Sequence, residues 1–367
     1  MLELFAEYGL FLAKVVTIAV AIMFVIATAA SAAQRGKPSQ DGHIEVRDLN
    51  RRYKDMRDTL RHAILSEPQF KAEEKQRAKD EKKKLKQEKK TLKKTEKKSS
   101  DTQADLVGDS SALVPEKKRV FVLNFNGDLQ ATAVDRLREE ISGVLSLATP
   151  QDELVLVLES PGGVVHGYGL AASQLQRIKQ RDIPLTVCVD KVAASGGYMM
   201  ACLADKIVAA PFAVLGSIGV VAQVPNFHRL LQKNEVDVEI LTAGEYKRTL
   251  TLFGENTEKG REKFKQDLEE THVLFKEWVA EHRPQLDIDK VATGETWYGR
   301  RAIDLQLADE LRTSDDYLFD QVDDADLYQV RYEEKKSLQQ RFGIATTDTL
   351  DGILMRWWNR LQGARWF

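Results

Sequence analysis

Ser195 lies where the sequence predicts that a buried strand gives way to a helix. The apolar run from Ile183 to Val189 is typical of a buried strand, and the stretch from Gly197 to Ala204 permits a helix. The first amides of a helix have no partner within it, so a serine there can attack a carbonyl while a neighbouring amide holds the developing oxyanion. A serine before a helix is also a common N-cap residue, and this stretch alone leaves both roles open.

Three further glycine-containing turns stand beside predicted strands. Glu159–Gly163 combines a proline turn with two glycines, Leu215–Gly219 is a turn of small residues, and Leu241–Lys247 places a lysine after a glycine. Each is an ordinary turn when it is taken alone. None of the six histidines lies in a recognisable catalytic setting, so a lysine is the base that suits the serine. Burial lowers the pKa of a lysine and lets its neutral amine accept the serine proton.

The N-terminus is predicted to be a membrane element. No charge occurs among the 19 residues from Val15 to Ala33, and this run is long enough to cross a bilayer as a helix. A cleaved signal peptide is the alternative, since Ala30–Ala32 resembles a cleavage site, but Glu3 and Glu7 are unusual in the basic start of a signal peptide. Basic residues follow the span, and the positive-inside rule therefore places the rest of the chain in the cytoplasm.

Composition divides the chain into four parts. We expect a membrane anchor over 1–34, a helical or disordered charged spacer over 35–117, a compact domain over 118–316 and a C-terminal extension over 317–367. The spacer has helical spacing and then a lysine-rich run, which is either a solvated arm or a polybasic segment drawn to anionic lipid. The extension ends in a tryptophan-rich stretch that docks on the domain, on the membrane surface or on a neighbouring subunit.

The compact domain alternates predicted strands and predicted helices. The strands cover Val120–Phe125, Glu153–Leu158, Leu185–Val189, Lys206–Ala210 and Ile218–Gln223, and the helices cover Ala131–Leu147, Gly167–Lys179, Ser195–Ala204 and Thr257–His282. This alternation predicts an α/β fold with a parallel sheet, and the continuous apolar strands predict that both faces of the sheet are covered. The net charge of −2 gives no indication of a nucleic-acid partner, and the two cysteines are interpreted as reduced core residues.

Together the motifs resemble the S49 family of serine peptidases, the signal peptide peptidase A group. The matching segments are Ser160–Gly163, Ala193–Tyr198, Gly216–Val220, Gly244–Lys247 and a closing stretch over Thr293–Asp309. The resemblance spans roughly residues 118–315 and implies a ClpP/crotonase-like superhelix of ββα units. It also implies that Ser195 is the nucleophile and Lys247 the general base, with the amides of Gly163 and Gly196 as the oxyanion hole. The long charged spacer, the region after Asp316 and the single copy of the domain depart from the family pattern.

The resemblance also implies partners. A single copy of the domain implies a homo-oligomeric ring that completes the active sites. The resemblance implies the bacterial inner membrane, to which the N-terminal helix binds through lipid contacts. Family members generally act on the outer side of that membrane, whereas the charge distribution predicts the cytoplasmic side, and the sequence leaves both sides open. We expect Val164, Tyr198, Met199 and Ile218 to bind extended, apolar peptides or unfolded proteins. We expect no cofactor, no metal and no nucleic acid. A crotonase-type acyl-CoA enzyme and a catalytically silent membrane scaffold are the alternatives.

Overall fold

The structure, a computed structural model, describes residues 42–66 and 117–334, with isolated residues at 14, 68, 69, 75 and 79. The predicted membrane span, the lysine-rich run and the tryptophan-rich end lie outside the described residues. Within the described part of the chain, no helix combines the length and the apolar content that a membrane crossing requires. The described residues between 44 and 332 form one compact unit, which contains all four motifs.

The described elements alternate along the chain. The strands are β1 (His43–Asp48), β2 (Arg119–Asn126), β3 (Glu153–Glu159), β4 (Leu185–Val189), β5 (Val192–Ala194), β6 (Lys206–Ala209), β7 (Val214–Gly216), β8 (Thr296–Tyr298), β9 (Glu310–Leu311) and β10 (Asp326–Glu333). The helices are α1 (Leu49–Ile64), α2 (Val134–Leu145), α3 (Val165–Lys179), α4 (Gly196–Ala201), α5 (His228–Lys233), α6 (Glu258–His282), α7 (Ile288–Val291), α8 (Gly299–Ala302) and α9 (Ser314–Gln321).

Two sheets organise these elements. The larger has the strand order β1-β10-β2-β3-β4-β6-β9, and its pairings from β10 to β9 are parallel. The smaller has the order β5-β7-β8, with β5 parallel and β8 antiparallel to β7. The chain therefore has an α/β fold with mixed strand pairing, and the predicted α/β class is confirmed.

Both faces of the large sheet are buried. On β2, Phe121 and Leu123 pack into the larger core cluster, which includes residues of α2, α3 and α4. Val120 points to the opposite face and shares a second cluster with Leu49 of α1 and Leu318 of α9. Each such fully buried side chain contributes about 1.5–3 kcal/mol to folding. Burial on both faces explains why these strands are continuous apolar runs rather than alternating ones.

Two sequence predictions differ from the structure. β1 and α1 join the domain through the sheet edge, and β10 lies inside the large sheet, so the domain extends beyond both predicted limits, 118 and 316. The strand predicted over Ile218–Gln223 is wrong, and the observed strand is β7 instead. Ile218 is fully buried whereas Val221 is 90% exposed, so this apolar run leaves the core and pairs with no strand.

Candidate active site

Ser195 has a strained backbone at the junction of β5 and α4. Its φ is 52° and its ψ is −119°, a region that costs a residue with a side chain about 1–3 kcal/mol. Two hydrogen bonds hold it there: its amide donates to the carbonyl of Gly216 at 2.8 Å, and its carbonyl accepts from the amide of Met199 at 2.9 Å. Its side chain makes no capping bond, so the N-cap role is not the one that Ser195 fills. Its hydroxyl has no hydrogen-bond partner among the described residues.

The Pro-Gly-Gly loop that follows β3 passes directly beside Ser195. The amide of Ser160 donates to the carbonyl of Val192 at 2.8 Å, and the amide of Ala194 donates back to Ser160 at 3.0 Å, which joins this loop to β5. Gly162 has φ 88°, and a Cβ there would lie 2.7 Å from the Cβ of Ser195 and 2.7 Å from the amide nitrogen of Gly196. Only glycine permits this approach.

The third motif supports Ser195 from the other side. Gly216 has φ 100°, and a Cβ at this position would lie 2.7 Å from the ring of Trp297 on β8. The amide of Ser217 donates to the carbonyl of Glu295 at 2.6 Å. The closing stretch of the sequence thus fixes the turn whose carbonyl binds the amide of Ser195.

A cavity of about 690 Å³ opens beside these motifs. Ser195, Gly163 and Gly196 line it, and none of the described residues gives the amides of Gly163 and Gly196 a hydrogen-bond acceptor. The rest of the wall is mainly apolar and comes from α3, α4, α6, the segment after β7 and the segment before β8. Its largest apolar side chains are Met199, Leu274, Phe275 and Trp278. Unpaired amides beside a serine are the arrangement that can stabilise an oxyanion.

His272 is a cavity residue that the sequence did not reveal. It is the one titratable side chain among the described residues that line the cavity. Its Nε2 atom is buried and has no hydrogen-bond partner. Buried polar atoms in proteins are nearly always paired, so this unpaired nitrogen is unusual. In the sequence, His272 is one more residue on a long helix, and its type and position give no signal of a site.

The four predicted substrate-binding residues separate in the structure. Met199 lines the cavity, and Val164 is half-buried next to Val165, which also lines it. The predictions for Tyr198 and Ile218 are wrong, because both side chains are fully buried in the core. The hydroxyl of Tyr198 donates to the carbonyl of Leu307 at 3.1 Å, and burial raises its pKa.

Lys247 lies apart from the cavity. It is exposed and absent from the residues that line the cavity, and its amide donates to the carbonyl of Gly244 at 3.2 Å. The strand expected beside the glycine turn at Leu241–Lys247 does not occur among the described residues. The neighbouring Glu245 accepts a hydrogen bond from the ammonium of Lys259 at 2.5 Å, which links this turn to α6. The structure thus brings Ser195, Gly163 and Gly196 together and leaves Lys247 outside.

Two family models match this chain, and together they include all the motifs described above. The model of the peptidase family S49 N-terminal region matches residues 3–175, and the model of peptidase family S49 matches residues 177–327. The chain belongs to peptidase family S49. Among its S49 relatives, a protein described as probable protease SohB in Haemophilus influenzae is 51% identical over 97% of this chain and 96% of that protein. Another, from Buchnera aphidicola subsp. Acyrthosiphon pisum, is 53% identical over 65% of this chain and 71% of that protein.

Solved structures show weaker similarity. A membrane-bound stomatin-specific protease, solved as a variant in complex with a substrate peptide, is 14% identical with a TM-score of 0.37. The alignment covers 63% of this chain and 99% of that chain. Another variant of the same protease has the same identity and TM-score over 56% of this chain and 84% of that chain. In the S49 chain itself, no group of three or more metal-ligating side chains occurs among the described residues.

Proposed function

We propose that this S49 chain is a serine endopeptidase in which Ser195 is the nucleophile and Lys247 the general base. One observation carries the proposal. A serine in a strained conformation, with an unpaired hydroxyl, lines a large cavity together with two glycines whose amides are unpaired. Backbone strain persists where the surrounding structure enforces it, and such strain concentrates at active sites.

The reaction follows from these groups. The Oγ of Ser195 attacks the carbonyl carbon of the scissile peptide bond while the neutral amine of Lys247 takes the hydroxyl proton. The carbonyl oxygen becomes an oxyanion, held by the amides of Gly163 and Gly196. The C–N bond then breaks, and the leaving amine takes the proton from Lys247. Water, deprotonated by the same lysine, hydrolyses the acyl-enzyme and restores Ser195.

Self-assembly supplies the missing base in this proposal. Lys247 lies on the segment 220–257, which is largely exposed and unusually apolar: Val221 and Leu241 are each 90% exposed. Exposed apolar surface of this kind is typical of an interface. We expect the segment to pack against another copy in a homo-oligomeric ring, with Lys247 positioned at an active site only in that assembly.

The proposed substrate is an extended, apolar peptide or an unfolded chain. Met199, Phe275 and Trp278 provide an apolar wall near Ser195, and charged side chains are desolvated there at a cost. The proposed setting is the bacterial inner membrane, with residues 15–33 as the lipid-binding anchor. Within the α/β class, we propose that the chain adopts the ClpP/crotonase-like superhelix, and the observed order of strands and helices is compatible with it.

A serine-directed phosphonylating probe tests the proposal. The full-length protein in detergent is treated with the probe and digested, and the modified peptide is mapped by mass spectrometry. We expect modification at Ser195, with Ser173 and Ser217 as internal controls, because both line the same cavity and should stay unmodified. Protein that remains unmodified, or is modified equally at all three serines, would contradict the proposal and favour an acyl-CoA enzyme or a silent scaffold.

A further inference from the structure

Tyr168 stands directly beneath the Pro-Gly-Gly loop. This residue of α3 is fully buried. Its hydroxyl lies 2.6 Å from the Oγ of Ser160 and donates to the backbone carbonyl of Asp128 at 2.8 Å. Because the single proton of the tyrosine goes to that carbonyl, the bond to Ser160 must run from the serine hydroxyl to the tyrosine oxygen. The Oγ of Ser160 in turn accepts from the amide of Gly162 at 3.1 Å.

These contacts form one directed chain. It runs from the Gly162 amide through Ser160 and Tyr168 to the carbonyl of Asp128, and every donor in it has an acceptor. The neighbouring glycine Gly127 is needed for it, since a Cβ there would lie 2.4 Å from the hydroxyl of Tyr168. A fully satisfied buried network of this kind rigidifies the backbone to which it is attached. Here that backbone leads directly into Gly163.

The ring of Tyr168 supports the second half of the site. A Cβ on Gly196 would lie 2.4 Å from the Cγ atom of Tyr168, so the backbone of Gly196 rests against the aromatic ring. The loop and the helix start are also in mutual contact, because a Cβ on Gly162 would lie 2.7 Å from the nitrogen of Gly196. One side chain thus holds the loop through its hydroxyl and the first residue of α4 through its ring.

We propose that Tyr168 is the positioning residue of the oxyanion hole. Its ring and hydroxyl set the distance between the amides of Gly163 and Gly196, and Ser160 is the intermediate link. The inference rests on the proposed function and deepens it. Removing an oxyanion donor outright lowers turnover by a factor of 10²–10³ in well-studied enzymes. Loss of the tyrosine hydroxyl displaces a donor without deleting it, so we expect a smaller effect of about tenfold.

The decisive variant is Tyr168→Phe, which keeps the ring and removes only the hydroxyl. With the full-length protein in detergent and an apolar peptide substrate, we expect kcat to fall about tenfold while KM stays within twofold of wild type. A peptide aldehyde, which forms a tetrahedral adduct with the serine, should bind about tenfold more weakly to this variant. The affinity for a non-reactive peptide of the same sequence should not change.

Tyr198→Phe is the matched control. Tyr198 is equally buried, and its hydroxyl likewise donates to a backbone carbonyl, that of Leu307, but it bonds to neither loop of the site. Tyr168→Phe loses two buried hydrogen bonds and Tyr198→Phe loses one, so we expect both variants to lose unfolding free energy, about 1–3 kcal/mol for each group left unpaired. Only Tyr168→Phe should lose kcat and affinity for the aldehyde.

Ser160→Ala completes the test through a double-mutant cycle with Tyr168→Phe. Because both substitutions break the same chain, the double variant should lose no more kcat than the worse single variant. In a wild-type enzyme that hydrolyses peptide through Ser195, an unchanged kcat in Tyr168→Phe, or strictly additive losses in the cycle, would overturn the positioning role alone. A wild-type protein without Ser195-dependent hydrolysis would overturn the proposed function and this inference with it.

Discussion

The side-chain oxygen of Asn50 accepts a hydrogen bond from the backbone amide of Leu327 at 2.7 Å. The same side chain donates to the carbonyls of Val322 and Ala325, at 2.7 and 2.8 Å. Asn50 stands in the first turn of α1, and Leu327 is the second residue of β10, which lies between β1 and β2 in the large sheet. One polar side chain thus fastens the segment before the charged run to the last described strand of the domain.

Replacing this side chain is expected to destabilise the domain. Asn50→Ala removes three hydrogen bonds and leaves an amide and two carbonyls that need new partners, so we expect a loss of about 1–3 kcal/mol of unfolding free energy. Urea denaturation of the full-length protein measures it. Arg52→Ala, at an exposed position on the same helix, is the matched control and should change the free energy by less than about 0.5 kcal/mol. Equal stability of the two variants would show that α1 is not part of the cooperative unit.

Asn50 also shows what the sequence could and could not predict. The strands of the large sheet are buried on both faces, so each is an apolar run, and β4 was predicted with its observed bounds. The strands of the small sheet have three residues each, too few to show a periodicity, and β7 was missed. Asn50 carries no local signal, because its partners lie more than 270 residues away in the sequence.

The candidate site divides in the same way. Four glycine-rich motifs could be recognised in the sequence because close backbone approach demands glycine. The structure places Gly162 against Ser195 and Gly216 against the ring of Trp297. The positions of His272 and Tyr168 at the site could not be predicted from the sequence, because a histidine or tyrosine on a helix gives no signal until its neighbours in space are known. The sequence was misleading for Tyr198, which lies three residues after Ser195 but whose side chain is buried in the core.

An ion pair with one buried partner anchors the C-terminal end of α6. Arg283 has a side chain only 2% exposed and donates to both carboxylate oxygens of Asp309, at 2.8 and 2.7 Å. Arg283→Ala removes these bonds and leaves a partly exposed carboxylate, 32% of whose side chain is accessible, without its counter-ion, so we expect a loss of about 1–3 kcal/mol of unfolding free energy. Arg261→Ala, which breaks an exposed pair with Glu258 on the same helix, should cost a few tenths of a kcal/mol. Comparable losses in both variants, measured by denaturation, would contradict this account.

The buried thiol of Cys202 should make the folded protein less stable at alkaline pH. Burial raises its pKa from 9.0 to about 12. In the unfolded chain the thiol therefore loses its proton at lower pH than in the folded protein. The stabilisation of the folded state that comes from keeping this thiol protonated is fully present below pH 9.0 and is lost as pH rises toward 12. The free energy of unfolding of the wild-type protein should fall as pH rises through this window. In Cys202→Ala it should fall less steeply, and the two slopes should differ by up to about 1.4 kcal/mol per pH unit.

In that experiment, the slope of unfolding free energy against pH distinguishes the titration of the thiol from the loss of its packing. Removing the sulfur also leaves a small cavity, but its cost is the same at every pH and shifts the whole curve without changing its slope. Tyr168 also has a pKa raised by burial and contributes in the same direction, so the comparison is between the two proteins and not with a flat line. Parallel curves for wild type and Cys202→Ala between pH 9 and 11 would contradict the prediction.

The last prediction asks whether Ser195 and Lys247 act together across subunits. Ser195→Ala and Lys247→Ala should each abolish peptide hydrolysis in folded protein, because a nucleophile and its base work as a unit. Lys247 is exposed and lies outside the cavity that Ser195 lines, so the proposed dyad needs a lysine from another copy. If so, equal amounts of the two inactive chains, co-expressed with different tags and purified through both, should regain about a quarter of wild-type activity by random pairing. Homogeneous preparations of each variant, passed through the same steps, are the controls. Mixed oligomers that stay inactive would show that Lys247 reaches the serine of its own chain, and full activity of either single variant would remove that residue from the mechanism.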